Sequence, residues 1–154
     1  MSIYNPENYD FRNGVLPLIG RTRAAFIVAL EARLAPFDLK SADYLVLKAI
    51  ANDIDTASAV CSLMAHDPGA MTRKIDVLEQ RGLVRRVRSA EDRRAIKLEL
   101  TPEGRKLYPK LIAVSVGLAN ELLRGFTKAE ARQLEDMLKR VLANAEQENE
   151  LVKG

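Results

Sequence analysis

The sequence predicts a mainly α fold carrying one small β-hairpin, on three observations. Of its 154 residues 47% are apolar but only 5% aromatic, with no Trp, a composition that leans towards helices rather than a sandwich or barrel. Apolar residues recur at helical spacing along most of the chain. Between Leu83 and Leu100 the period shortens to that of strands. The length suits one compact domain with helical extensions, able to bury a core and an oligomer interface.

Residues 1 to 10 have no period and read as an irregular arm. A first helix is expected from about Phe11 to Leu34, on Leu18, Phe26, Ala29, Leu30 and Leu34, with Pro17 tolerated near its start. Ala35-Pro36-Phe37-Asp38 breaks it. Ser41 is expected to cap a second helix bearing Leu45, Val46, Leu47, Ala49 and Ile50. A third begins after Asp53 or Thr56 and runs to about Met64, with Val60, Leu63 and Met64 as its apolar side.

Asp67 as N-cap and Pro68 at the first helical position open a fourth helix, and Gly82 closes it at the position where glycine meets no steric cost. Met71, Ile75 and Leu78 point inward, so Gly69, Ala70, Thr72, Arg73 and Asp76 face out. Past Gly82, the stretch from Leu83 to Arg88 and the alternation of Ile96, Leu98 and Leu100 with Lys97 and Glu99 give a hairpin, joined by the polar turn Ser89 to Arg93. Thr101 and Pro102 start a long helix to about Arg124, with a kink expected at Pro109. Gly125 ends it. A capping box from Thr127 to Glu130 opens the last helix, whose inner positions are Ala131, Leu134, Leu138, Val141 and Leu142.

The formal charge of +3 decides little about partners, but its distribution does. Residues 73 to 97 hold nine Lys and Arg against four Asp and Glu, a surplus of five, whereas from Thr127 onward five positive residues face six negative. The basic footprint is local.

A helix, a tight turn, a second helix and a basic two-stranded hairpin can read a duplex with one small domain. The second helix fits the major groove, about 12 Å wide, and phosphate contacts on either side fix its register. The architecture is therefore a winged helix-turn-helix domain with further helices on either side. Small residues at Gly69 and Ala70 permit close approach of the helix N-terminus, Thr72 can bond a phosphate or base edge, and Arg73 can fork onto a guanine. At the hairpin tip Asp92 can hold an arginine, Arg93 or Arg94, extended for the narrow minor groove. Lys74, Arg85 and Arg86 complete the expected DNA-binding set.

The chain resembles the MarR (multiple antibiotic resistance regulator) family. The resemblance rests on Asp67-Pro68-Gly69-Ala70-Met71-Thr72-Arg73, on Leu78-Glu79-Gln80-Arg81-Gly82-Leu83-Val84-Arg85-Arg86, on Asp92-Arg93-Arg94, and on Leu100-Thr101-Pro102-Glu103-Gly104. It implies a single domain over residues 1–154, with dimerisation helices in 11–35 and 102–150 and a DNA-binding lobe in 39–101. It also implies base reading by Thr72 and Arg73 and a minor-groove role for Arg94 oriented by Asp92. The sequence departs from the family pattern at Lys40, where a capping Thr is frequent, and at Asp38, where Gly is common.

The expected function is a sequence-specific transcriptional regulator, a repressor in its simplest form. It would act as a homodimer on a pseudo-palindromic operator in double-stranded DNA. A small aromatic or anionic effector would release it, and Phe26, Phe37 and Tyr44 are weak candidates for the binding crevice. The alternative is a winged-helix module that contacts an acidic protein; the small outward residues speak against it, because such faces usually offer aromatic anchors.

The sequence offers no Gly-rich phosphate loop, no nucleophile elbow and a single His to serve as a base, so neither catalysis nor a cofactor is expected. His66 has no second ligand at metal spacing. Cys61, the single cysteine, reads as a small buried hydrophobe and cannot form an internal disulfide. No run approaches the roughly 18 apolar residues of a membrane span, so a cytoplasmic protein is expected.

Overall fold

The computed structural model of the chain describes residues 2–64, 67–89 and 96–153. His66 and the hairpin tip with Asp92, Arg93 and Arg94 lie outside the described residues. The chain forms two compact units, residues 1–116 and 117–154. The helices are α1 (Val15–Leu34), α2 (Ser41–Ala51), α3 (Ala57–Met64), α4 (Pro68–Gln80), α5 (Pro102–Leu122) and α6 (Lys128–Lys153), with a one-turn 3-10 helix at Ala35–Phe37. Strands β1 (Val84–Arg88) and β2 (Ile96–Leu100) pair antiparallel, with Val84 opposite Leu100 and Arg85 opposite Glu99.

Helix α1 starts later than its apolar spacing predicts. The Asp10 carboxylate accepts the N–H groups of Arg12 and Asn13, and Gly14 donates to the Asp10 carbonyl at 2.7 Å, so turns persist to Gly14. Two backbone hydrogen bonds to its side chain hold Asp10 below the usual carboxylate range. At the other end, Leu30 and Leu34 are buried.

Asp38, where the family pattern favours glycine, adopts φ 53°, the left-handed conformation that glycine reaches without strain. The cap of α2 differs from the expectation. Lys40 is the N-cap residue, and its N–H donates to Asp43 Oδ2 at 2.7 Å, while the Ser41 hydroxyl donates to Glu31 on α1. Asp43, three residues into the turn, reaches the orphan N–H better than Ser41 can.

Val46, Leu47, Val60, Met71, Ile75, Leu78, Val84, Leu98 and Leu111 form the core of the first unit. In α3, Val60 and Cys61 are buried and Leu63 is exposed, so the buried edge of that helix is one residue round from the expected one. Thr56 caps it, accepting the Ala59 N–H at 3.2 Å.

Gly82, with φ 67°, ends α4 in a Schellman turn: its N–H reaches the Glu79 carbonyl and that of Leu83 reaches Leu78. Gly104 has a steric duty instead, since a Cβ there would collide with the Leu83 carbonyl. That carbonyl accepts the Thr101 N–H, and the Thr101 hydroxyl donates to the Gly82 carbonyl and accepts the Gly104 N–H. The Leu-Thr-x-x-Gly motif is thus a joint fastening the first turn of α5 to the end of α4. Helix α5 continues past Pro109.

In the second unit, Thr127 and Glu130 form the expected capping box at the start of α6. Leu138, Val141 and Leu142 are exposed in the single chain.

Candidate nucleic-acid interface

Helix α4 begins where the sequence places it. Asp67 accepts the Ala70 N–H at 2.9 Å and Pro68 fills the first helical position. Met71, Ile75 and Leu78 anchor the inner side and are all but inaccessible. Gly69, Thr72 and Arg73 are exposed and Ala70 and Asp76 half-buried, so the outward face is the one the helical period assigns.

The charged side chains of α4 divide sharply. Lys74 turns inward, its ammonium 2.8 Å from Asp43 Oδ1 on α2. Asp76 and Glu79 both bind Arg86 of β1. Arg81, just past the helix, donates to the carbonyls of Phe37 and Asp38. Arg73 alone among the described charges of α4 has neither hydrogen bond nor ion pair among the described residues. The Thr72 hydroxyl donates back to the Pro68 carbonyl at 2.9 Å, which leaves its oxygen able to accept.

The strand arginines divide as well. Arg85 meets Glu99, its partner in register, through Nε at 3.1 Å and Nη2 at 2.7 Å. Arg86 is about a third exposed. Burial disfavours its charge, but the hydrogen bonds and charges of Asp76 and Glu79 outweigh that, and its pKa is raised. Arg88 is exposed and has no described partner; opposite it in register stands Ile96. Alternation puts Arg88 on the same strand face as Arg86. Helix α4 offers its acids to Arg86 and not to Arg88, a difference that register does not show, since Arg86 stands opposite Leu98 and Arg88 opposite Ile96.

The structure therefore brings Gly69, Ala70, Thr72 and Arg73 onto one accessible face, and engages Lys74, Arg85 and Arg86 in internal pairs. Of the weak candidates for an effector crevice, Tyr44 is buried in the core and Phe26 and Phe37 are half-buried. A crevice of about 450 Å³ does lie beside α2, lined by apolar Leu45, Ile54, Leu63 and Met64, with Arg23, Lys48 and Asn52 as polar groups. Its apolar walls come from three places, Leu45 on α2, Leu63 and Met64 on α3 and Ile54 between them, which periodicity within one helix does not bring together. Among the described residues no group of His, Cys, Asp and Glu could hold a metal ion, and no helix is long and apolar enough to cross a membrane.

A family model described as MarR family matches residues 37–95. The multiple antibiotic resistance protein MarR of Escherichia coli (strain K12) is 31% identical over 115 residues, 73% of this chain and 80% of that protein. A crystal structure of a cysteine-to-serine mutant of E. coli MarR complexed with operator DNA is similar at 30% identity, with a TM-score of 0.73 over 86% of this chain and 99% of the other. CouR from Rhodococcus jostii RHA1, bound to p-coumaroyl-CoA, is similar at 25% identity and a TM-score of 0.77, over 86% of this chain and 94% of the other.

Proposed function

Because the chain belongs to the MarR family of transcriptional regulators, we propose that it is a sequence-specific duplex-DNA-binding repressor that works as a homodimer. The observation that carries the reading is the face of α4: exposed Gly69, Thr72 and Arg73 beside half-buried Ala70, with the neighbouring charges drawn into internal pairs. With no intramolecular partner among the described residues, Arg73 can offer both ends of its guanidinium to a guanine edge, while Thr72 bonds a phosphate or base. Gly69 and Ala70 let the backbone approach. Arg88, and at the hairpin tip Arg93 with Arg94 held by Asp92, grip the strand alongside.

Residues 39–101 act as the DNA-binding lobe, and helices within 11–35 and 102–150 as dimerisation elements. Exposed apolar side chains on each of them, such as Leu16 and Ile19, Val116, and Leu138 and Leu142, are what a second copy would cover. The dimer presents two copies of α4 to successive major grooves, about 34–36 Å apart, and so reads a pseudo-palindrome. The role calls for neither catalysis nor a cofactor, and it is carried out in the cytoplasm.

An effector would act by preferring a lobe spacing that cannot straddle those grooves. The crevice of Arg23, Lys48 and Asn52 over apolar walls suits a small molecule with an aromatic body and an anionic end. Selecting genomic fragments on the purified protein tests the reading: enrichment of one pseudo-palindromic sequence supports it, and recovery of no common sequence refutes it.

A further inference from the structure

We propose that Arg86 is a positioning residue that fixes the angle between the reading helix α4 and the wing strand β1, and thereby sets operator preference. The proposal rests on the DNA-binding reading above. The Arg86 guanidinium spans two carboxylates three residues apart on α4: Nη2 lies 2.6 Å from Asp76 Oδ1 and Nη1 is bonded to Glu79 Oε2. The other Glu79 oxygen accepts the Arg86 backbone N–H at 3.0 Å. Among the described residues these bonds are the only side-chain polar link between α4 and β1.

A planar fork with donors at both ends fits two carboxylates at once, whereas an ammonium is a single point of charge. So engaged, the Arg86 charge is already matched by two carboxylates, which leaves it little net attraction for a phosphate. The two acids also need a reason to be there. Negative charge on a helix that approaches DNA opposes binding through the phosphates, and holding Arg86 supplies that reason. Arg85 bonded to Glu99 ties β1 to β2, so the strut links the orientation of α4 to both strands of the hairpin. Base reading in the major groove and the grip of the wing then share one register.

The test compares the selected operator with random duplex at fixed salt, using Arg86→Lys and the double variant Asp76→Asn/Glu79→Gln. Positioning predicts that both variants lose about tenfold in operator affinity. Random-duplex affinity is kept by Arg86→Lys and kept or raised by the double variant, so operator preference shrinks. If Arg86 instead neutralises a phosphate, the double variant frees it and strengthens binding to both duplexes alike, while Arg86→Lys changes neither; that pattern overturns the proposal. Arg86→Lys retains the charge, so it decides the matter even if the acid-free variant melts early. Retained random-duplex binding with unchanged preference sinks the strut alone, whereas a wild-type chain that binds no duplex sinks the DNA-binding reading with it.

Discussion

The Lys74 ammonium lies 2.8 Å from Asp43 Oδ1, tying α4 to α2 across 31 residues of sequence. The same carboxylate caps the first turn of α2 through the Lys40 N–H. One largely buried acid thus holds two helices. Asp43→Ala should cost about 2–3 kcal/mol of stability, because it strands a half-buried ammonium and an orphan N–H together. Lys74→Ala leaves the buried Asp43 carboxylate without its cation but still bonded to the Lys40 N–H, and should cost less, about 1–2 kcal/mol. Urea unfolding of both variants checks the order; equal and negligible losses would contradict it.

Gly104→Ala forces a Cβ against the Leu83 carbonyl, a backbone atom that cannot swing away. The expected loss is about 1–3 kcal/mol, read as a lower melting temperature. Gly117→Ala is the control, since a Cβ there meets nothing within 4 Å. It should be neutral or slightly stabilising, as alanine favours the helix.

The α6 capping box has a pH signature. Hydrogen bonds from the Thr127 backbone and hydroxyl hold Glu130 below the usual carboxylate range. A carboxylate whose pKa is lower folded than unfolded stabilises the fold above its unfolded value, and that contribution disappears as pH falls through the folded value. An NMR titration of the Glu130 side chain should show the depressed midpoint, and Thr127→Ala should move it up towards that of an ordinary glutamate.

On the minor-groove role proposed for Arg94, Arg94→Ala should weaken operator binding without lowering the melting temperature. A mobility-shift titration with unchanged affinity would remove Arg94 from the interface.

Much of this is legible in the sequence because it is local. The Asp67 cap, the inward set of Met71, Ile75 and Leu78, the Gly82 stop and the Thr127 box depend on neighbours within a turn or two, and periodicity and cap chemistry read such features directly. The start of α1 is not legible in that way, because the Asp10 side chain competes with the helix for backbone donors, which apolar spacing does not register. The fates of Lys74 and Arg86 are hidden for another reason: their partners Asp43, Asp76 and Glu79 are chosen by packing between elements, and a basic run looks the same whether it faces phosphate or carboxylate. Arg85 is half-legible, since pairing Val84 with Leu100 already places it opposite Glu99.

Base reading is assigned, as proposed, to the α4 face that bears Arg73. Affinities of the wild-type chain and Arg73→Ala should be compared across operators in which each base pair is changed in turn. The variant should lose about 1–3 kcal/mol of discrimination at one base pair in each half-site and keep its preferences elsewhere. A variant with the same preferences as wild type at every position would contradict it.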